Sequence, residues 1–265
     1  MPFFSIALLL LIGVFSFNAP LFYTVSPTDL HIDAILSAPS SHYLLGTDRL
    51  GRDLLARLMQ GGQISLIIGI ASAFLSTFLG FMIGVTAGYF RGKTDKIFVL
   101  IVDLFLTFPT FFLLLALVSY INASVWVLIV IISITGWMTT ARLIRSESFA
   151  ITQQPYIKIL SIANVSKFKI LVQYYTPLLA PIFFVSFTFG VGGAILSESA
   201  LSFLGLGIVA PQMSWGTIMS DGKEVIQIAW WVSFFPGLLI FLITLSLINI
   251  SNYLQRLTNQ KEIRN

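Results

Sequence analysis

Residues 142–177 read RLIRSESFAITQQPYIKILSIANVSKFKILVQYYTP and form the longest polar interruption between apolar runs in the second half of the chain. Apolar residues recur at i, i+3, i+4 and i+7 on both sides of Asn164, which predicts two short amphipathic helices. Before the break these positions are Tyr156, Ile159, Leu160 and Ala163, and after it they are Phe168, Leu171, Val172 and Tyr175. We therefore expect a structured knob, residues 152–172, outside the bilayer.

Three residues mark the ends of the two short helices. Pro155 suits a first helical turn, where its missing N–H costs nothing. Asn164 tolerates the left-handed conformation that ends a helix, and Ser166 is a good N-cap for the next one.

Composition places the chain in the membrane. It is 57% hydrophobic and 10% charged, with a mean hydropathy of +0.92, far from the values of soluble domains. The chain has no cysteine, which excludes disulfides and thiolate metal sites. Its net charge of +4 comes from basic residues in loops beside apolar runs, so it indicates membrane topology and not nucleic-acid binding.

Six apolar runs predict an all-α polytopic membrane protein with six transmembrane helices. The runs cover residues 3–17, 64–88, 97–120, 124–141, 178–200 and 230–253. Residues 1–63 would hold the first helix and an extracytoplasmic segment, residues 64–255 a five-helix core, and residues 256–265 a tail. The first run lacks a basic flank, so we expect a retained span and not a signal peptide.

The distribution of basic residues sets the orientation of the chain in the membrane. Eleven of the 15 lysines and arginines lie on the side of the termini and the knob, so the positive-inside rule predicts that the termini and the knob are cytoplasmic.

Small residues predict close helix packing. Gly80, Gly84 and Gly88 recur at every fourth position of the second run, which allows another helix to approach closely.

Four sequence blocks resemble the permease subunits of the dipeptide/oligopeptide/nickel branch of ABC importers, over nearly the whole chain. The matching blocks are HYLLGTD at 42–48 with GRD at 51–53, GY at 88–89 leading to Asp103 and Pro109, Trp137 with Ala141, Arg142 and Arg145, and ESALSFLGLG at 198–207 with SWG at 214–216. The last block is the most specific. The resemblance implies the type I ABC importer permease fold.

The resemblance also implies partners. They are a second homologous permease, two ABC ATPases that bind ATP and Mg²⁺, and an extracytoplasmic solute-binding protein, in the inner membrane of a bacterium. This chain would bind no cofactor and catalyse no reaction; it has no GxxxxGK[ST] phosphate loop. The expected cargo is a di- or oligopeptide, with nickel or another metal chelate as the alternative.

In that family the knob is a coupling helix that docks on an ATPase. The residues carried over to this role are Tyr156, Lys158, Ile159, Leu160, Ser161, Ala163 and Asn164. Lys158 stands where the family has glutamate, Ile159 and Leu160 where it has alanines, and Asn164 where it has glycine. The residues alone leave another interpretation open, an interfacial helix on the anionic leaflet.

Four residues are candidates for the translocation path or its gate: Asp103, Glu198, Ser202 and Phe203. A charge at membrane depth costs roughly 2.5–3.5 kcal/mol, so it faces a cavity or a partner. For Asp103 we favour an ion pair with a basic loop residue such as Lys96. For Glu198, a gate and a structural hydrogen bond both stay open.

The segments on the opposite side are predicted to be structural. Asp48–Arg52 and Asp53–Arg57 are spaced i, i+4, which favours paired charges on a short helix or a contact with the second permease. Residues 201–229 are predicted to form either an extracytoplasmic edge that contacts the binding protein or a cap at the membrane interface. The expected interface anchors there are Phe203, Trp215, Trp230 and Trp231.

Two other function classes fit less well. A stand-alone secondary transporter or channel favours inverted repeats or a line of buried ionisable groups, and the apolar runs contain no convincing repeat. An intramembrane enzyme needs a nucleophile with a base or metal ligands, and no cysteine or histidine lies in any apolar run.

Overall fold

A computed structural model describes residues 2–264, although for residues 161 and 259–264 it describes the backbone alone. The described chain is helical, and its one bridge joins Thr47 and Asp53. The helices are α1 Phe3–Phe17, α2 Ala19–Phe22, α3 Leu54–Phe90, α4 Gly92–Leu106, α5 Thr110–Ser119, α6 Val125–Gln153, α7 Pro155–Ile162, α8 Lys167–Ile170, α9 Thr176–Phe203, α10 Trp215–Lys223 and α11 Trp231–Arg264.

Within residues 2–264, four helical stretches are long and apolar enough to cross a membrane. They are Leu54–Phe90, Val125–Gln153, Lys167–Phe203 and Trp231–Thr258. The α4–α5 pair makes a fifth if it counts as one span. Helix α1 has 15 residues and rises only about 22 Å, so the count of six remains a prediction.

The predicted third span is bent, because α4 and α5 meet at an angle of 78°. Helix α4 ends at Leu106 and α5 begins at Thr110, directly after Pro109. Proline cannot donate a helical hydrogen bond, and it disfavours the α conformation of the residue before it. The sequence therefore breaks the helix where Pro109 stands.

Two predicted helix boundaries are wrong. Helix α6 continues 12 residues beyond the expected end at Ala141, to Gln153, and so carries Arg142 and Arg145. The second amphipathic segment is not a separate helix, because residues 167–203 form one continuous helical span. A π-helical turn, Leu171–Tyr175, joins α8 to α9 just before Pro177.

Helices α3 and α6 pack closely, as the small residues predict. A Cβ on Gly80, Gly84 or Gly88 would lie 2.6–2.7 Å from a backbone carbonyl oxygen of α6. Those oxygens belong to Trp137, Ala141 and Arg145. The three glycines thus allow the two helix backbones to touch.

The two ends of the molecule have separate apolar cores. At the knob end, α7 packs over a cluster that includes Phe81, Ile144 and Tyr175. At the opposite end a cap, residues 46–57 with α10, covers a cluster that includes Trp215 and Trp231.

The prediction that Trp215 and Trp231 lie at the membrane interface is wrong. Trp215 and Trp231 are buried, and their indole N–H groups donate to the carbonyl oxygens of Leu58 (2.9 Å) and Thr47 (3.1 Å). These hydrogen bonds hold both indoles inside the cap, whereas Trp230 is exposed.

Candidate functional site

The knob has the backbone geometry that the sequence predicts. Asn164 has a φ of 53°, in the left-handed region. The N–H of Val165 donates to the carbonyl oxygen of Leu160 at 3.1 Å, which closes the end of α7. The hydroxyl of Ser166 accepts from the N–H of Lys169 at 3.2 Å and caps α8. The predicted break and caps are confirmed.

The knob is anchored through buried side chains that reach three long helices. Ile157 is buried, and Leu160 packs against the same cluster as Ile170 and Tyr175. The Tyr175 hydroxyl and the Thr152 hydroxyl share a hydrogen bond of 2.8 Å. Residues of α3, α6 and α9 complete this cluster, so α7 shares one packed apolar cluster with all three helices.

The outward face of the knob is apolar. Ile159, Ile162 and Phe168 are 63%, 80% and 77% exposed. Tyr156, Lys158, Ala163 and Asn164 are also exposed, while the side chain of Ser161 lies outside the described part of the chain. No described residue of this chain covers that apolar surface.

The structure selects which residues of the knob face inward. Ile157 is the buried residue of α7, whereas Tyr156 and Ile159 are exposed, and after the break Ile170 is buried and Phe168 is exposed. The segment IKILSI has apolar residues on every side of α7, so helical periodicity fits more than one inward face.

Beside the knob lies an open, basic cavity of about 400 Å³. Lys158 and Lys167 line it together with Tyr89, Phe90 and Ile162, and no acidic residue is among the described lining residues. The Lys167 ammonium lies 5.6 Å from the centre of the Phe90 ring. The surface that the knob presents is thus apolar at its tip and cationic at one side.

Asp103 forms an ion pair, but not with the loop lysine that we expected. Its Oδ1 accepts from Arg142 at 2.6 Å, and both side chains are more than half exposed. Arg142 lies on α6, because that helix is longer than its apolar run. A second pair, Asp95 with Arg145, joins the same two helices.

Glu198 is fully buried and ties three elements of the cap end together. Its carboxylate accepts from Ser202 at 2.7 Å and from Ser65 of α3 and Ser199 at 3.4 Å. The Ser65 hydroxyl accepts from the backbone N–H of Trp215, the first residue of α10, at 3.1 Å. This geometry favours the structural alternative for Glu198.

The four candidate path residues do not form one site. Ser202 contacts Glu198, and Phe203 lies next along the chain, with the Lys223 ammonium 5.2 Å from its ring centre. Asp103 pairs with α6 in a different part of the molecule. The structure thus groups three candidates at the cap end and separates the fourth.

The predicted short charged helix is wrong. Asp48 lies in a turn, and Asp53 is the N-cap of α3, where it accepts from the N–H of Ala56. Arg57 does not pair with Asp53; it donates to Asp48 at 2.5 Å and to Asp221 at 3.0 Å. The i, i+4 pair of Asp48 and Arg52 does form, at 2.7 Å.

Asp221 is the residue that sequence reasoning missed. It accepts from Arg49, Arg52 and Arg57, although it lies more than 160 positions away in the chain. Burial raises its pKa, while Arg49 and Arg52 act in the opposite direction. The sequence signal that could have revealed it is that residues 46–57 contain more basic than acidic residues, which implies an acidic partner elsewhere in the chain.

Comparisons with known proteins agree on one family. The family described as "binding-protein-dependent transport system inner membrane component" matches residues 80–262. The oligopeptide transport system permease protein OppC of Mycobacterium tuberculosis is 35% identical over 242 residues, which are 90% of this chain and 83% of that protein. OppC of Haemophilus influenzae is 32% identical over 235 residues, 88% of this chain and 76% of that protein.

A solved structure shares the fold. An inward-facing structure of the MetNI methionine ABC transporter superposes with a TM-score of 0.58 at 17% identity. The match covers 75% of this chain and 96% of that chain.

Proposed function

The chain belongs to the family of binding-protein-dependent transport inner membrane components, with an all-α ABC importer permease fold, and on this premise we propose that it is one permease subunit of an ATP-driven importer of di- and oligopeptides. It forms half of the translocation path, and a second homologous permease forms the other half. An extracytoplasmic solute-binding protein delivers the cargo.

The exposed apolar tip of the knob is the observation that carries this proposal. Ile159 and Ile162 project from a helix whose other side is anchored in the packed core. An uncovered apolar surface next to basic side chains suits a cleft on a protein partner. We assign this cleft to an ABC ATPase, because the chain has no phosphate-binding loop of its own.

The knob then works as a mechanical link. ATP and Mg²⁺ bind to two ATPase subunits, whose movement displaces α7. Because Ile157 and Leu160 pack against the cluster shared by α3, α6 and α9, these helices move with it as a rigid group. The other coupling residues, Tyr156, Lys158, Ser161, Ala163 and Asn164, form or position the contact surface.

We assign the knob and both termini to the cytoplasm of a bacterial cell, and the cap to the outside of its inner membrane. The excess of basic residues on the knob side supports this orientation. In the domain division, residues 1–63 hold α1 and the first cap segment, residues 64–255 form the core, and residues 256–265 form a cytoplasmic tail.

At the cap end, Glu198 and Ser202 lock α3, α9 and α10 together, and Phe203 marks the outer end of the path. The hydrogen bonds that join Glu198 to Ser65 and Ser202 support this role. Asp103 lies toward the inner end of the path, where its exposure leaves it open to water or to the second permease.

Peptides are the cargo that the relatives favour. Both OppC proteins are named as oligopeptide permeases, and similar proteins of Brucella are named as putative peptide permeases. Among the described residues, no group of three His, Asp or Glu side chains could hold a metal ion.

The direct test is to purify the intact complex from its host, identify its subunits and bound ligand by mass spectrometry, and reconstitute it in liposomes. We expect two permeases, ATPase subunits, a bound peptide and ATP-dependent peptide uptake. Uptake or ATP hydrolysis by this chain alone would contradict the proposal.

A further inference from the structure

An open groove of about 310 Å³ lies between α3 and α4, at the knob end of the bundle. Its α3 side includes Met82, Ile83 and Thr86, and its α4 side includes Ile97 and Ile101. All five side chains are exposed. They lie at the knob-side ends of the apolar runs 64–88 and 97–120, so the groove lies at the edge of the hydrocarbon region of the bilayer.

The lining of the groove suits an acyl chain. Its two hydroxyl groups, on Thr86 and Thr94, already donate to the carbonyl oxygens of Met82 and Arg91, each at 2.7 Å. The other described lining residues are apolar. An apolar chain can therefore fill the groove without leaving a polar group of the lining unpaired.

Phe90 connects the groove to the basic cavity beside the knob. It is the last residue of α3, and it follows Thr86 and Ala87 by four and three positions, so the three share one face of the helix. Phe90 also lines the basic cavity. The groove and the cavity thus follow one another along a single face of α3, over a rise of about 12 Å from Met82 to Phe90.

The basic cavity has no counter-charge within the described chain. Lys158 and Lys167 line it, no acidic residue is among its described lining residues, and the Lys167 ammonium lies 5.6 Å from the centre of the Phe90 ring. Residues 148–197 contain no Asp or Glu at all, so the knob itself supplies no acid. An anion that compensates the two lysines has to come from outside the chain.

We propose that the groove and the basic cavity together bind one anionic phospholipid of the inner leaflet. One acyl chain lies along the groove, and the phosphate lies beside Lys158 and Lys167. Basic pockets next to membrane-spanning helices on the cytoplasmic side bind anionic headgroups in this way. The tip of the knob stays free for the ATPase, because Ile159 and Phe168 do not line the cavity. The inference uses the cytoplasmic orientation of the knob and does not depend on the cargo.

The first test locates the lipid. The purified complex is reconstituted in phosphatidylcholine vesicles that contain a trace of phosphatidylglycerol with a diazirine in one acyl chain, and phosphatidylcholine with the same chain is the second probe. After irradiation, labelled peptides are quantified by mass spectrometry. We expect label within residues 82–101, which span the groove. Phosphatidylglycerol should exceed phosphatidylcholine there by at least about fivefold, since each lysine near an anionic lipid contributes about 1 kcal/mol.

The second test removes one cation. In Lys167→Gln the ratio of phosphatidylglycerol to phosphatidylcholine labelling should fall about fivefold. Lys169→Gln is the matched control, because Lys169 is exposed on the same short helix and does not line the cavity. Its ratio should stay near the wild-type value. Equal falls in both variants would reduce the effect to general surface charge and would overturn the site.

The third test blocks the groove. Thr86→Trp should lower labelling of residues 82–101 several-fold for both probes. Thr139→Trp is the control, at another exposed threonine whose hydroxyl donates to a carbonyl oxygen of its own helix, and it should label as wild type. Unchanged labelling in Thr86→Trp would overturn the groove as the place of the acyl chain.

Four other outcomes would overturn the inference. No label in residues 82–101 would mean that protein covers the groove, and equal labelling by the two lipids would mean that the site does not select a headgroup. Loss of label with an equal concentration of glycerol phosphate would assign the cavity to a free anion. A carbodiimide cross-link from Lys167 to an ATPase carboxylate would assign it to the ATPase contact. Peptide uptake by the same vesicles tests the proposed function separately.

Discussion

The cap and the knob lie at the two ends of one helix bundle and differ in whether their side chains find partners within this chain. The cap is rich in charge, yet its buried charged groups have partners within the chain. Asp48 and Arg57 contact each other, Asp221 reaches Arg57, and Asp53 accepts hydrogen bonds from Tyr23 and Ala56. The knob is rich in apolar residues, yet Ile159, Ile162 and Phe168 are left uncovered.

The difference indicates which end is complete by itself. Paired charges at the cap need no partner to remain buried, so this chain alone can hold that end in shape. The uncovered apolar tip gains stability only when something covers it. Substitutions should therefore change folding at the cap and partner contact at the knob.

The largest effect on folding is expected at Arg57. Arg57→Ala leaves the buried Asp48 and the half-buried Asp221 without one of their cations, and breaking a buried pair costs about 3–5 kcal/mol. The thermal unfolding midpoint of the purified complex should fall strongly. Arg49→Ala is the control, because Arg49 and Glu224 are largely exposed and such pairs contribute about 0–1 kcal/mol. Equal shifts for both variants would contradict the larger contribution of the buried charge pair.

The next effect is on coupling at the knob. Ile159→Glu places a charge in the proposed ATPase contact, and we expect ATP-dependent peptide uptake to fall at least about tenfold, as loss of an interface hot spot does. The control is Ile32→Glu, at an isoleucine that is 81% exposed in the segment before the cap. Uptake that falls equally in both variants, or in neither, would count against the knob as the coupling surface.

A smaller effect is expected at the end of α7. Asn164→Val puts a β-branched residue at a φ of 53°, where an L-residue other than Asn or Gly costs about 1–2 kcal/mol. Peptide uptake should fall several-fold, while the thermal unfolding midpoint of the purified complex should change less than in Arg57→Ala. Asn164→Gly fits this conformation and should transport as wild type; a loss of uptake in that variant would show that the Asn164 side chain itself makes a contact.

The smallest effect is expected at Asp103. Its pair with Arg142 is exposed, and Asp103→Asn should cost about 0–1 kcal/mol if water or a polar partner surrounds Arg142. If that face met lipid, an unpaired Arg142 would cost roughly 2.5–3.5 kcal/mol. The unfolding midpoint of the complex distinguishes the two surroundings.

Sequence reasoning succeeded where a residue type demands one local conformation. Pro155, Asn164 and Ser166 mark the start of α7, its end and the cap of α8, and the structure contains all three. The glycines of α3 likewise marked its contact with α6. These features depend on a few neighbouring positions, so periodicity and turn chemistry are sufficient to find them.

Prediction from the sequence failed where a structural feature depends on distant residues or on the length of a helix. Hydropathy falls after Ala141, but helix propensity does not, so α6 continues to Gln153. The apolar residues of α7 surround the helix, and only its packing on Tyr175 and its neighbours selects Ile157 as the buried one. The role of Asp221 required the fold, because the arginines that it binds are far away in sequence.

One measurement tests the central claim most directly. The chain has no cysteine, so Ile159→Cys and Ile228→Cys each provide a single site for a thiol-to-amine cross-linker in the assembled complex. The account predicts a cross-link from position 159 to an ATPase subunit and none from position 228. If position 159 forms no cross-link to an ATPase subunit and reacts only with a lipid-soluble probe, the knob lies on the bilayer and the account is wrong.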